Sequence, residues 1–126
     1  MLNFKIKTFF REVKIEHILF IQKVHKTKKE EYIKAHKEIL PEALLSMKDA
    51  GIKREIIWMN GDQILIYAMS ENFDNSMAEL ARTSIAKKWW KKMKPLLEEM
   101  QDYSKKGNII KLEKIFDLES MLEEIK

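Results

Sequence analysis

Two side chains able to transfer protons lie one helical turn apart in the first half of the chain. Tyr32 and His36 are four residues apart in a segment with a helical pattern, so they share one helix face. Imidazole is the one side chain whose unperturbed pKa, about 6.5, lets it donate and accept protons near neutral pH. A phenol one turn away can orient the imidazole or bind a hydroxyl group. The same spacing also fits two half-buried helix residues without chemistry.

Two adjacent tryptophans, Trp89 and Trp90, form the second feature that could bind a ligand. Neighbouring residues of a helix point about 100° apart, so the two indoles cannot share one environment. We interpret one as a core residue in the stripe that contains Ile85 and Met93. The other could line a pocket, because an indole face stacks on the C–H face of a pyranose while its N–H bonds a hydroxyl.

Other kinds of reactive site have no basis in the sequence. The chain has no cysteine, which excludes disulfides, thiolate chemistry and iron–sulfur centres. Its three histidines, His17, His25 and His36, lack the spacing of a helical zinc site. The three glycines do not cluster into a phosphate-binding loop. Proton transfer or simple binding remains, and we predict neither a metal nor a cofactor.

Composition restricts the partners and the location. The 126 residues fit one domain with one core. The net charge of +4 comes from lysines interleaved with glutamates, which argues against nucleic-acid binding. The apolar runs, such as residues 64–69, fall far short of the roughly 18 residues needed to cross a membrane. Because the N-terminus lacks the apolar core of a secretory signal, we expect a cytoplasmic protein.

The first half predicts a strand, a long helix and a β-hairpin. The strand spans residues 17–24, and Thr27 and Glu30 match a capping box for a helix that extends to about residue 50. Pro41 should kink this helix, and Gly51 should close it in the left-handed conformation. Strands over residues 52–59 and 63–70 are joined by an Asn-Gly-Asp turn at residues 60–62.

The second half predicts two helices and a last strand. A short helix over residues 73–81 begins near Asn72 or Asp74, and a longer one runs from Thr83 or Ser84 to about Tyr103. A strand over residues 112–118 and one loose helical turn over residues 120–126 follow. Residues 1–15 are interpreted as an N-terminal extension without assigned structure, and residues 16–126 as a single domain.

The element order β-α-β-β-α-β predicts an α+β fold, a ferredoxin-like four-stranded antiparallel sheet with helices on one face. The third strand alternates Ile64 and Ile66 with Leu65 and Tyr67, so both of its faces are apolar. An apolar sheet face left bare is an aggregation hazard. We therefore expect a face-to-face homodimer.

The segment from Glu31 to Glu42 resembles a family signature. Its sequence, EYIKAHKEILPE, is similar to the E-Y-x-x-x-H-x-x-[IV]-W-P-E motif of the L-rhamnose mutarotase family. The Ala-Gly-Ile at residues 50–52 and the Trp-Trp-Lys-Lys-Met at residues 89–93 match in the same order. The resemblance covers about residues 17–119.

This resemblance implies a dimeric α+β barrel and an isomerase that interconverts the α and β anomers of L-rhamnose without a cofactor. Related members act on L-fucose. By position, His36 corresponds to the proton donor, Tyr32 to a substrate-contacting tyrosine, and Trp89 and Trp90 to the tryptophans of the sugar site. All four are candidate site residues on this basis, and His36 and Tyr32 are the candidate catalytic residues. His36 would protonate the ring oxygen, and Tyr32, a bound water or a carboxylate such as Glu55 would act on the anomeric hydroxyl.

Two positions depart from the family pattern. Leu40 replaces the tryptophan before Pro-Glu, and Glu55 stands where the rhamnose enzymes commonly carry a substrate-binding tyrosine. We expect Glu55 to bind substrate, but an ionised carboxylate only accepts hydrogen bonds, so the identity of the sugar stays open. Two alternatives also stay open: a haem-degrading or cofactor-independent monooxygenase of the same barrel fold, and a barrel that binds sugar without catalysis.

Overall fold

The computed structural model describes residues 14–125 of the chain. A four-stranded sheet and its helices follow one another in a β-α-α-β-β-α-α-β-α order. The elements are β1 (Glu16–Val24), α1 (Lys29–Lys37), α2 (Pro41–Asp49), β2 (Arg54–Asn60), β3 (Gln63–Ser70), α3 (Phe73–Ala81), α4 (Ser84–Met93), a 3-10 turn (Lys94–Leu96), β4 (Leu97–Glu99) and α5 (Leu118–Glu124).

The sheet has the strand order β2-β3-β1-β4, with every neighbouring pair antiparallel. In the central pairings Ile66 lies opposite both Phe20 on β1 and Ile57 on β2. Paired residues project from the same face of a sheet, so these side chains form one inner row. This arrangement confirms the predicted α+β fold and the ferredoxin-like antiparallel sheet.

Burial alternates along the strands and separates the two faces of the sheet. On β3 the side chains of Ile64, Ile66 and Ala68 are buried, whereas Leu65 and Tyr67 are only partly buried. The buried row packs with residues of the helices and loops in a single core cluster. One face of the sheet is thus the core face, and the outer face keeps apolar side chains in contact with solvent.

The predicted long helix with a kink at Pro41 is wrong in detail, because the chain forms two helices. α1 ends at Lys37, and Pro41 occupies the first turn of α2. A proline disfavours the helical conformation in the residue before it, and Leu40 accordingly has an extended backbone. The predicted capping box is also wrong. The N-cap is Lys28, without a side-chain cap, and Thr27 belongs to the preceding turn.

The predictions for the C-terminal third contain two further errors. α4 ends at Met93 instead of near Tyr103, because the chain passes through a 3-10 turn containing Pro95 and then enters β4. β4 is the fourth strand of the sheet, with Leu97 opposite Val24. The predicted strand over residues 112–118 does not form. Instead, Lys111 makes one isolated bridge with Phe20, and residue 118 already begins α5.

Several local predictions are confirmed. β3 and α3 have the predicted bounds, and the Asn72 side chain caps α3 by accepting a hydrogen bond from the Asn75 amide. The Thr83 side chain caps α4 in the same way. All of the described helices are too short and too polar to traverse a bilayer. Except for Lys14 and Ile15, the proposed N-terminal extension lies outside the described residues, so the division at residues 15 and 16 stays a prediction.

Gly51 closes α2 in a conformation that only glycine adopts easily. Its φ is +104°, and a Cβ atom at this position would lie 2.8 Å from Ser76 Oγ. We expect Gly51→Ala to lower the free energy of unfolding by about 2–4 kcal/mol through backbone strain and this contact. Urea unfolding followed by circular dichroism measures the change.

Gly61→Ala is the matched control, because Gly61 has φ +63° and open space around it. It should cost only about 1–2 kcal/mol. Equal losses in the two variants would contradict a role for the contact with Ser76.

Candidate active site

A cavity of about 80 Å³ lies between the inner face of the sheet and the helices. This exceeds the roughly 10–15 Å³ that one water molecule needs, so the cavity has room for a small polar ligand. All of the site residues predicted from the sequence line it: Tyr32, His36, Glu55, Trp89 and Trp90. α1 contributes the first two, β2 the glutamate and α4 the indoles.

The imidazole of His36 is held by its own helix. Its Nδ1 lies 2.8 Å from the carbonyl oxygen of Tyr32, one turn earlier. A carbonyl oxygen only accepts, so Nδ1 carries a proton, and Nε2 is the ring nitrogen whose protonation can change. The ring packs against Tyr32, at a centroid distance of 4.3 Å, and makes an edge-to-face contact with Trp89 at 5.0 Å.

Burial changes the acid–base properties of both α1 residues. Desolvation lowers the pKa of His36 below its usual value, and the hydrogen bond to Tyr32 only partly opposes this effect. His36 is therefore mainly neutral at pH 7. Desolvation also raises the pKa of the Tyr32 phenol, with a smaller contribution from the charge of Glu55. Tyr32 therefore stays protonated and can donate a hydrogen bond.

Glu55 projects from β2 on the core face of the sheet, since its cross-strand partner is the buried Ala68. Glu55 as a whole residue is exposed to solvent, but its carboxyl group is densely surrounded by protein atoms and the residue lines the cavity. This desolvation raises the pKa of Glu55 to about 7. A carboxyl group of this kind exists in both protonation states near neutral pH and can exchange a proton with a bound molecule.

Both tryptophans are half-buried and border the cavity, which differs from the expected division into one core residue and one pocket residue. Trp89 contacts the His36 ring through an edge-to-face arrangement. Trp90 stacks on Tyr103 with a centroid distance of 4.9 Å and an interplanar angle of 14°. The two indoles point in different directions, and both reach the cavity. Trp89 meets the part of the wall formed by His36 on α1, and Trp90 meets the part formed by Tyr103 after β4.

Sequence reasoning missed three polar residues of the cavity, Gln22, Ser46 and Tyr103. Gln22 is buried at 4% exposure near the end of β1, on the same face as Phe20 and Val24. A polar residue inside an otherwise apolar buried row was the available signal. Tyr103 has no comparable signal in the sequence, because the pattern around it predicts the end of a helix.

Leu40, one of the departures from the family motif, does not line the cavity. Its side chain is 62% exposed at the start of α2, while the neighbouring Ile39 contributes to the cavity wall. The replacement of tryptophan by leucine therefore alters the surface beside the site. Within residues 14–125, no three acidic or histidine side chains are grouped as a metal site would require.

Comparison with known proteins now assigns the chain to a family. The family model for L-rhamnose mutarotase matches residues 17–118. The chain belongs to the L-rhamnose mutarotase family. An L-rhamnose mutarotase of Lactiplantibacillus plantarum is 34% identical over 93 residues, which cover 73% of this chain and 86% of the relative. One from Clostridium beijerinckii is 31% identical over 100 residues, covering 79% and 94%.

Solved structures support the same fold. The crystal structure of an L-rhamnose mutarotase from Formosa agariphila superposes with a TM-score of 0.64 at 23% identity, covering 82% of this chain and 98% of that one. A putative antibiotic biosynthesis monooxygenase from Nitrosomonas europaea gives a TM-score of 0.53 at 15% identity, covering 68% and 82%. At these identities the likeness concerns the fold alone.

The raised pKa of Glu55 predicts a pH-dependent contribution to stability. Between about pH 4.3, where an unfolded glutamate titrates, and pH 7, the folded state keeps a proton that the unfolded state releases. The free energy of unfolding therefore falls as the pH rises through this window. Glu55→Gln lacks this titration. The free energy of unfolding of the wild type, relative to that of Glu55→Gln, should therefore fall between pH 4 and pH 8.

Urea unfolding at several pH values measures this difference. Glu38→Gln, at an exposed position outside the cavity, is the control and should differ from the wild type by a constant amount. Parallel pH curves for the wild type and Glu55→Gln would contradict the raised pKa.

Proposed function

We propose that this chain is a mutarotase that interconverts the α and β anomers of L-rhamnose or a related 6-deoxy-hexose. The observation that carries this proposal is the placement of His36. Its Nδ1 is committed to the Tyr32 carbonyl, and the ring borders a cavity shared with Glu55 and two indoles. Membership in the mutarotase family supports the same activity and disfavours the monooxygenase alternative.

The reaction requires one acid and one base. The acid protonates the ring oxygen while the base removes the proton of the anomeric hydroxyl, so the bond between C1 and the ring oxygen breaks and a free aldehyde forms. Rotation about the C1–C2 bond and reversal of both proton transfers give the other anomer. Protons are conserved over the cycle, and no cofactor is needed. Positioned acid–base groups typically accelerate such steps by about 10²–10⁴-fold.

His36 and Glu55 are suited to this pair of roles. We assign protonation of the ring oxygen to His36 Nε2, with the Glu55 carboxylate receiving the proton of the anomeric hydroxyl. Because desolvation leaves His36 mainly neutral at pH 7, the reacting form is the minor one that carries a proton on Nε2 while Glu55 is ionised. After ring opening the proton resides on Glu55 and His36 is neutral, and ring closure returns both groups to their starting states. Desolvation raises the pKa of Glu55 to about 7 and lowers the pKa of His36, so Glu55 can hold the proton that His36 gives up near neutral pH.

The remaining residues bind and orient the sugar in this proposal. The Tyr32 phenol, which stays protonated, donates a hydrogen bond to a sugar oxygen. The indoles of Trp89 and Trp90 contact the ring face and the 6-methyl side, which favours deoxy sugars. The cytoplasmic location and the lack of a nucleic-acid partner stay predictions from the sequence.

Replacement of His36 tests the proposed activity. His36→Ala should lower the rate of anomer exchange of L-rhamnose by about 10²–10⁴-fold, because the group that protonates the ring oxygen is lost. Saturation-transfer NMR measures the exchange, first in a screen of the wild type with L-rhamnose, L-fucose and common aldoses. His25→Ala, an exposed histidine outside the cavity, is the control and should retain the wild-type rate.

Two outcomes would contradict the assignment. Unchanged exchange in His36→Ala would remove His36 from the mechanism. A wild type that is stabilised by a sugar yet does not accelerate exchange would favour the non-catalytic binding barrel.

We further propose that the chain acts as a homodimer joined through the outer face of the sheet. On this face Trp58 of the edge strand β2 lies opposite Leu65 of β3, which in turn lies opposite Ile21 of β1. The Trp58 side chain is 53% exposed. The C-terminal segment is also apolar and uncovered. Ile115 is 89% exposed, and α5 buries none of its residues. A second copy is the partner that supplies a complementary apolar face in register.

Introducing a charge on this face tests the dimer. Trp58→Glu should weaken dimerisation more than tenfold, because a buried carboxylate would replace a large apolar contact. Analytical ultracentrifugation measures the dissociation constant. Leu45→Glu, an equally drastic change at an exposed position on α2, is the control and should leave the association unchanged. A monomeric wild type would contradict the proposal.

A further inference from the structure

We propose that Gln22 binds the sugar and sets which hydroxyl pattern the cavity accepts, and that Tyr103 is its positioning residue. This inference deepens the proposed function and rests on it. It concerns two residues that the family motif does not include.

The carbonyl end of the Gln22 amide is fully occupied. Its Oε1 accepts the backbone N–H of Gln101 at 2.9 Å and the hydroxyl of Tyr103 at 2.9 Å. A backbone N–H can only donate, so the oxygen must face Gln101, and the orientation of the amide follows. Two accepted hydrogen bonds use both lone pairs of the oxygen. The NH₂ group must therefore point elsewhere.

The NH₂ group of Gln22 faces the cavity. The Gln22 nitrogen has no hydrogen-bond partner among residues 14–125. Within that range, every side-chain nitrogen or oxygen that is fully buried does have a partner, so this nitrogen is not fully buried. The nitrogen must consequently reach accessible surface. Gln22 is 4% exposed, projects from the core face of β1 and lines the cavity, so that surface is the cavity wall. A donor with no protein partner inside a cavity is a natural site for a ligand oxygen.

The donor is held rigidly in place. The Tyr103 ring stacks on Trp90 at 4.9 Å between centroids and makes an edge-to-face contact with Phe20 at 6.3 Å. Burial raises the pKa of the Tyr103 phenol, with smaller contributions from Glu55 and Tyr32, so its hydroxyl keeps the proton that it donates to Gln22. The side chain of Gln101 is itself tied to the carbonyl of Ile21 at 3.1 Å. Rotation of the Gln22 amide would break these contacts.

The chemistry of the cavity then defines the ligand group. Gln22 supplies a neutral donor on β1, and Glu55 supplies an acceptor on β2, with Tyr32 as a second donor. A sugar hydroxyl oxygen directed at β1 satisfies the Gln22 donor. A site built to bond one hydroxyl rejects an analogue that lacks it, because the buried donor then stays unpaired. Gln22 should therefore discriminate at one hydroxyl position of the sugar.

The test compares Gln22→Met, which keeps the length but removes the donor, with the wild type on L-rhamnose and its 2-, 3- and 4-deoxy analogues. Exchange NMR should show KM for L-rhamnose raised about tenfold in Gln22→Met, with kcat changed less than threefold. With the wild type, kcat/KM for one deoxy analogue should be about tenfold lower than kcat/KM for L-rhamnose. With Gln22→Met, that analogue and L-rhamnose should have the same kcat/KM. A purely structural role would not remove the penalty at a single position.

Tyr103→Phe and Gln63→Met complete the set. Tyr103→Phe keeps the stacking on Trp90 but frees the Gln22 oxygen, so it should weaken the same single-position discrimination partially. Gln63→Met changes an exposed glutamine of β3 and should behave as the wild type. Circular dichroism and the melting temperature establish that each variant is folded.

The outcomes distinguish this inference from the proposed function. Identical deoxy penalties in the wild type and Gln22→Met would overturn the role of Gln22 while leaving the mutarotase proposal intact. If the wild type binds the sugars without exchange, the mutarotase proposal fails, and the same series is judged on dissociation constants from calorimetry. A wild type that neither binds nor exchanges any of these sugars would overturn both.

Discussion

The pairing of β1 between β3 and β4 is the constraint on which the rest of the structure depends. This central strand places Phe20 and Gln22 on the core face, opposite Ile66 and Ile64 of β3. Gln22 then binds the segment that follows β4, which has no regular secondary structure of its own at residues 100–103. A shift of β1 by one residue would turn this row to the outer face and detach that wall of the cavity.

Desolvation is the common cause of the electrostatic properties of the site. Burial disfavours the charged form of every group, so it lowers the pKa of His36 and raises the pKa of Glu55 and Tyr32. Glu55, with its pKa raised to about 7, can therefore hold the proton that His36 gives up to a bound sugar. The same effect keeps the phenols of Tyr32 and Tyr103 protonated, as donors instead of bases.

The two faces of the sheet have different tasks. The core face carries the cavity, whose wall has polar groups among apolar side chains. Among residues 14–125, each of the partly or fully buried polar side chains either forms a hydrogen bond or has accessible surface. The outer face carries a continuous apolar row in register across three strands. A face of this kind gains free energy only when another apolar surface covers it. The proposed dimer is a consequence of this asymmetry.

The hairpin, the caps of α3 and α4 and the shared helix face of Tyr32 and His36 are predictable from the sequence, because these features depend on residues only a few positions apart. The likeness of a motif also predicts that His36, Glu55 and the tryptophans belong to one site. The folded chain is needed to show that Leu97–Glu99 is the fourth strand and that Gln22 and Tyr103 meet in the cavity. Strand pairing and buried hydrogen bonds join residues some 80 positions apart, as in the contact of Gln22 with Tyr103 at a separation of 81, and such partners leave no local pattern.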